Sequence, residues 1–118
     1  MMITVYGIPN CDTIKKTLDW LKKNKIEYQF YNYKTDGINI DILNDWCSQK
    51  NWEILLNKKS TTWRELSSDE QQKISNTKNA VKLMQQKTSI IKRPVITKDK
   101  MIVAIGFDEK LFAAIFKK

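Results

Sequence analysis

The first thirty-three residues change periodicity twice, and that change limits the fold more than any other stretch of the chain. Ile3-Thr4-Val5-Tyr6 is short, apolar and β-branched, as a strand should be. Gly7-Ile8-Pro9-Asn10 turns it, and Ile14, Leu18 and Leu21 then recur at i, i+4 and i+7, one face of a helix. Glu27-Tyr28-Gln29-Phe30-Tyr31-Asn32-Tyr33 reads as a second strand, rich in aromatics, before a turn at Thr35-Asp36-Gly37. Strand, helix and strand over so short a distance form a βαβ unit, whose strands are parallel and whose crossover is right-handed.

Cys11 stands where the first strand turns into the helix, just ahead of Asp12-Thr13, polar residues suited to a helix start. There a sulfur meets unpaired backbone N–H groups and the partial positive charge of the helix N-terminus, both of which favour thiolate over thiol. A small buried residue filling a gap is the competing reading, since cysteine is so often buried. The strand–loop–helix placement favours chemistry.

The middle of the chain reads as helical. Asn39 or Asp41 caps a helix carrying Ile42, Leu43, Trp46 and Cys47, with Cys47 on its apolar side and therefore expected in the core. Asn51–Leu56 is a short apolar segment of a helical turn or two, and Asn57–Thr62 reads as a loop leading to Trp63-Arg64. Ser67 and Glu70 have the spacing of a capping box, and Asn76 or Thr77 begins a further helix bearing Ala80, Val81 and Met84. The last thirty residues return to sheet. Pro94–Thr97 and Met101–Ile105, joined through Lys98-Asp99-Lys100, read as an antiparallel hairpin. Asp108 then caps a helix with an apolar stripe of Leu111, Phe112, Ile115 and Phe116. The order is βαβ, helices, ββα, in one domain over 1–118 with a helical insertion at about 38–90.

Composition excludes several classes of function. There is no histidine, so a histidine-assisted nucleophile is excluded and a zinc site is not expected. Only three glycines occur, and no Gly-rich phosphate loop. The net charge of +8 does not point to nucleic acid: the basic residues are scattered as singles and pairs, such as Lys15-Lys16 and Lys117-Lys118. It would still attract anionic small molecules and acidic protein surfaces. No apolar stretch approaches a bilayer span, and no basic-then-apolar leader precedes the first strand, so the expectation is a cytoplasmic protein away from membranes. Two cysteines in such different settings do not form a secreted disulfide framework.

Of the 21 basic residues only Arg64 and Arg93 are arginine. In so lysine-rich a chain, a surviving arginine suggests a position needing a planar, bidentate donor that stays charged. Two ordinary surface arginines with packed stems are the alternative.

With these residues placed, the chain resembles the arsenate reductase (ArsC) and Spx-like family of thioredoxin-fold proteins, and within it the small YffB-type branch. The matching text is Tyr6–Lys16 around Cys11, Leu55-Leu56-Asn57 with Thr61-Thr62-Trp63-Arg64, Ile91-Lys92-Arg93-Pro94-Val95, and Gly106-Phe107-Asp108. The resemblance implies a thioredoxin-like α/β fold, a four-stranded mixed sheet flanked by helices with the helical insertion between its halves. It implies Cys11 as nucleophile, Arg64 and Arg93 as anion-binding residues near it, and Pro94 as the cis-proline beside the active cysteine. Thr13, Arg93, Pro94 and Asp108 become the residues expected to hold glutathione, which enters as co-substrate with no bound cofactor. For Asp108 a plain helix cap explains the residue equally well.

Two departures shape the function expected. The stretch Gly106-Phe107-Asp108-Glu109 lacks the further arginine that family arsenate reductases carry near the last helix. Position 14 is Ile, so the Cys-x-x-Cys switch typical of Spx regulators is missing. The leading expectation is therefore a monothiol, glutathione-dependent thiol–disulfide oxidoreductase acting on a thiol, disulfide or oxyanion substrate. Arsenate reduction is the alternative within enzymes. A regulator of the Spx kind, docking on RNA polymerase without binding nucleic acid directly, is the alternative outside them.

Overall fold

β1 (Ile3–Gly7) lies inside the sheet because it is apolar on the face that meets the helices: Ile3 and Val5 are buried. It pairs in parallel with β2 (Gln29–Asn32), Gly7 opposite Asn32, and antiparallel with β3 (Val95–Lys98), Tyr6 opposite Val95. β3 pairs antiparallel with β4 (Met101–Ile105), so the strand order is β2-β1-β3-β4. This computed structural model describes residues 2–116, and the Lys117-Lys118 pair lies outside them. The mixed four-stranded sheet with flanking helices is the architecture expected from the sequence.

The chain divides into two compact units, Met1–Asp36 with Arg93–Lys118, and Gly37–Lys92. In the first, α1 (Asp12–Lys23) turns Ile14, Thr17 and Leu21 inward. The buried Thr17 hydroxyl is satisfied by donating to the Thr13 carbonyl at 2.8 Å. α8 (Glu109–Phe116) adds Phe112 to a core of Ile3, Val5, Leu21, Ile96 and Ala104. Trp20 meets the edge of Phe112 at 5.4 Å between centroids. The β3–β4 turn is made by Asp99 and Lys100, both at positive φ (50° and 75°), which matches the twist of a tight hairpin.

In the second unit, α3 (Ile40–Gln49), α4 (Trp52–Leu55), α5 (Thr61–Arg64), α6 (Ser68–Lys73) and α7 (Thr77–Gln86) precede a 3₁₀ turn at Thr88–Ile90. Leu43, Trp46, Leu55, Trp63, Val81 and Met84 are buried here. The main chain closes on itself where Lys92 N donates to the Leu55 carbonyl and Asn57 N to that of Ile90, both at 2.8 Å. The capping box at Ser67 and Glu70 forms with both of its hydrogen bonds.

Four local expectations change. β2 ends at Asn32, and Tyr33–Asp36 is a one-turn helix, α2, because the Asn32 side chain accepts from Lys34 N at 3.0 Å and redirects the chain. Thr61-Thr62 is helical rather than loop, Ser60 accepting from Trp63 N at 3.2 Å as its cap. Cys47 is only half-buried; Leu43 and Trp46 fill the inward face of α3. On α8 Leu111 remains 39% exposed, while Phe112, Ile115 and Phe116 pack on the core.

The end of β1 comes against the first turn of α1 so closely that only glycine fits at position 7. A Cβ there would lie 2.9 Å from Cγ1 of the buried Ile14 and closer still to its Cδ1. Gly7→Ala should therefore cost about 1–3 kcal/mol of stability through overpacking, read as a lowered denaturation midpoint at unchanged slope. A wild-type midpoint would mean that Ile14 turns aside freely.

Candidate active site at the C-terminal edge of β1

The loop after β1 places Cys11 immediately before α1. Its φ of −140° and ψ of 125° are those of an N-cap, and its carbonyl accepts the first helical hydrogen bond, from Lys15 N at 3.0 Å. The side chain makes no conventional capping bond, yet the sulfur sits where the Ile14 and Thr13 amides can donate to it. Arg93 approaches the same sulfur. Partial burial works against ionisation. The Ile14 amide, the Arg93 guanidinium and the Thr13 amide outweigh it, and the Cys11 thiol lies below its ordinary range. Cys47 behaves in the opposite way, since burial alone pushes its thiol up.

Arg93 reaches Cys11 through strand register. With Tyr6 opposite Val95 in the antiparallel β1–β3 pair, the residues just before β3 lie beside those just after β1. The Arg93–Pro94 peptide bond is cis. The Pro94 carbonyl accepts from Gly106 N at 2.8 Å, which draws the loop leading to α8 alongside. Gly106 has φ of 86°, a conformation that favours glycine. Asp108 Oδ1 accepts from Leu111 N at 3.1 Å, so this carboxylate caps α8. Arg64 belongs to the second unit, exposed at the C-terminal end of α5. Of the site residues expected from sequence, the first unit thus gathers Cys11, Thr13, Arg93 and Pro94 at one edge of its sheet.

Sequence reading missed Tyr33. It is fully buried, its hydroxyl oxygen accepts from Arg93, and it lies within electrostatic reach of Cys11. Burial pushes its hydroxyl far above the usual phenol range against the pull of the Arg93 charge, so it stays neutral.

A thiol drawn towards ionisation by backbone amides and a guanidinium is equipped to attack sulfur or an oxyanion. The model of the ArsC family matches residues 6–115. The chain belongs to the ArsC family. A Haemophilus influenzae protein described as uncharacterized is 46% identical over 116 residues, 98% of this chain and 99% of that protein. A solved structure of the YffB protein superimposes with a TM-score of 0.88 at 36% identity, covering 95% of this chain and 96% of that one. An arsenate reductase (ArsC) related protein from Brucella melitensis does so at 0.79 and 37% identity, covering 100% and 97%. The global transcriptional regulator Spx of Streptococcus agalactiae is 27% identical over 110 residues, 92% of this chain and 78% of Spx. The ArsC-family fold here is that of the arsenate reductase-like thiol oxidoreductases. Among the described residues no group of three or more His, Cys, Asp or Glu could hold a metal ion, and no helix is long and apolar enough to cross a membrane.

Proposed function

We propose that this protein is a monothiol thiol–disulfide oxidoreductase that uses glutathione. The observation that carries the reading is the Cys11 sulfur, whose ionisation the Ile14 amide, Arg93 and the Thr13 amide all favour, with isoleucine rather than a second thiol at position 14. The Cys11 thiolate attacks a glutathionylated substrate at the glutathione sulfur, expelling the substrate as its thiolate and leaving a Cys11–glutathione mixed disulfide. A glutathione thiolate then attacks the glutathione sulfur of that disulfide, releasing oxidised glutathione and regenerating the Cys11 thiolate. In balance, one glutathione thiol enters and one substrate thiol leaves, the other half of the oxidised glutathione being the glutathionyl group taken from the substrate.

Arg93 is the residue suited to the anionic groups of glutathione, through paired N–H donors. Thr13 and Pro94 take part by their place beside Cys11, and Asp108 by its place in the loop that Gly106 ties to Pro94. A part for Arg64 in anion binding follows from the family resemblance alone. A reaction that uses reduced glutathione suits a reducing compartment such as the cytoplasm.

Oxidised glutathione should yield a stable one-to-one adduct on Cys11. Intact mass before and after treatment, with Cys11→Ser and Cys47→Ser as controls, measures this. Loss of two hydrogens with no glutathione attached would sink the monothiol mechanism, because it would mean that Cys11 and Cys47 form a disulfide.

The Spx relatives favour a second reading, a protein that binds RNA polymerase. Ile14 removes a local disulfide switch from such a role but leaves docking open. Binding to purified polymerase subunits, in the presence and absence of oxidised glutathione, separates the two readings.

A further inference from the structure

Three segments distant in sequence meet at the C-terminal edge of β1. Cys11 arrives from β1 itself. Tyr33 follows β2 directly, and the parallel register that sets Gly7 opposite Asn32 puts it beside the loop carrying Cys11. Arg93 arrives from the residues before β3. The Tyr33 ring is 0% exposed, so its position is set by packing and its hydroxyl cannot wander. A guanidinium on four rotatable bonds has no such rigidity of its own.

We propose that Tyr33 is the positioning residue of this site: its hydroxyl oxygen accepts from Arg93 and holds the guanidinium against the Cys11 sulfur. Arg93 carries five N–H donors in a planar fork, enough for both partners. The neutral hydroxyl is the appropriate acceptor, since a buried carboxylate there would compete with the thiolate for the arginine's charge. The groups acting on Cys11 are then Arg93 and Tyr33 from the neighbouring segments and, on α1, the Ile14 and Thr13 amides; the Asp12 carboxylate, next in sequence, is exposed. This role rests on the reading of Cys11 as the nucleophile.

The test is the pH dependence of alkylation by iodoacetamide in the full chain with Cys47→Ser, which needs no glutathione. Tyr33→Phe removes one hydrogen-bond acceptor and keeps the ring. Its alkylation at a pH below the wild-type midpoint should fall about three- to tenfold, the worth of one hydrogen bond, with the midpoint displaced upward. In an Arg93→Ala background the same change should do nothing further, because the hydroxyl acts through the arginine. Should Tyr33→Phe not fold, 4-aminophenylalanine at position 33 keeps the shape, lacks a comparable acceptor and is expected to give the same shift. A wild-type midpoint in these variants overturns the proposal, and so does an equal shift with and without Arg93. In those cases a depressed wild-type midpoint leaves Cys11 as nucleophile, whereas an ordinary wild-type midpoint overturns both readings.

Discussion

Cys11→Ser should reduce glutathione-dependent reduction of a mixed disulfide to background, while Cys47→Ser retains the wild-type rate. A serine hydroxyl at this position stays protonated at neutral pH, and no histidine exists anywhere in the chain to take its proton. The thiol, by contrast, is drawn below its ordinary range by the Ile14 amide, Arg93 and the Thr13 amide despite the opposing effect of partial burial. The sign of the pH dependence follows. Reactivity rises with pH as the thiol ionises, and with a lowered pKa its midpoint falls below the free-thiol value of about 8.5. Alkylation rate against pH in wild type and in each single mutant measures this directly. Labelling dominated by Cys47, whose thiol burial pushes up, or a Cys11 midpoint at the free-thiol value, would remove the basis for an active site.

Arg93→Lys should slow formation and reversal of the Cys11–glutathione disulfide by roughly ten- to a hundredfold. Lysine preserves the charge but not the planar fork that can serve the sulfur, Tyr33 and a ligand at once. Removing a charge-assisted hydrogen bond of this kind costs about 1.5–3 kcal/mol, which is the stated change in rate or affinity. Stability should suffer little in comparison, so the thermal midpoint is measured alongside. Turnover at the wild-type rate would mean that Arg93 supplies only diffuse positive charge, which lysine provides as well in a chain carrying +8. Arg64→Lys, made in parallel, tells whether the exposed arginine on α5 matters to the same reaction.

The βαβ start and the terminal hairpin were legible because each is written in local pattern: alternation and β-branching for the strands, a 3.6-residue apolar repeat for α1. What reading from pattern missed was short. α2 follows an aromatic run that looks like continuing strand, and only the Asn32 side chain, accepting from Lys34 N, ends it. α5 is a single turn whose Ser60 cap lacks the acidic partner that made Ser67 and Glu70 recognisable, Trp63 occupying that place. Cys47 shows that a residue on the apolar side of a helix is not thereby interior, since Leu43 and Trp46 are large enough to fill that face.

Cys11 could be singled out from the sequence alone, because its local activators lie within four residues on either side: the strand exit at Gly7 and the helix start whose Ile14 and Thr13 amides reach the sulfur. Arg93 stood out by composition as one of two arginines, but composition says nothing about which thiol it faces, and only the family resemblance joined them. Tyr33 offered no signal of its own. Those two meet Cys11 because β1 pairs with β2 in parallel and with β3 in the opposite sense, so one edge of the sheet collects the end of β1, the end of β2 and the start of β3. Helix-start electrostatics is a local property that the amino-acid order alone determined. The company Cys11 keeps depends on strand register between distant segments, and the tertiary structure alone decided it.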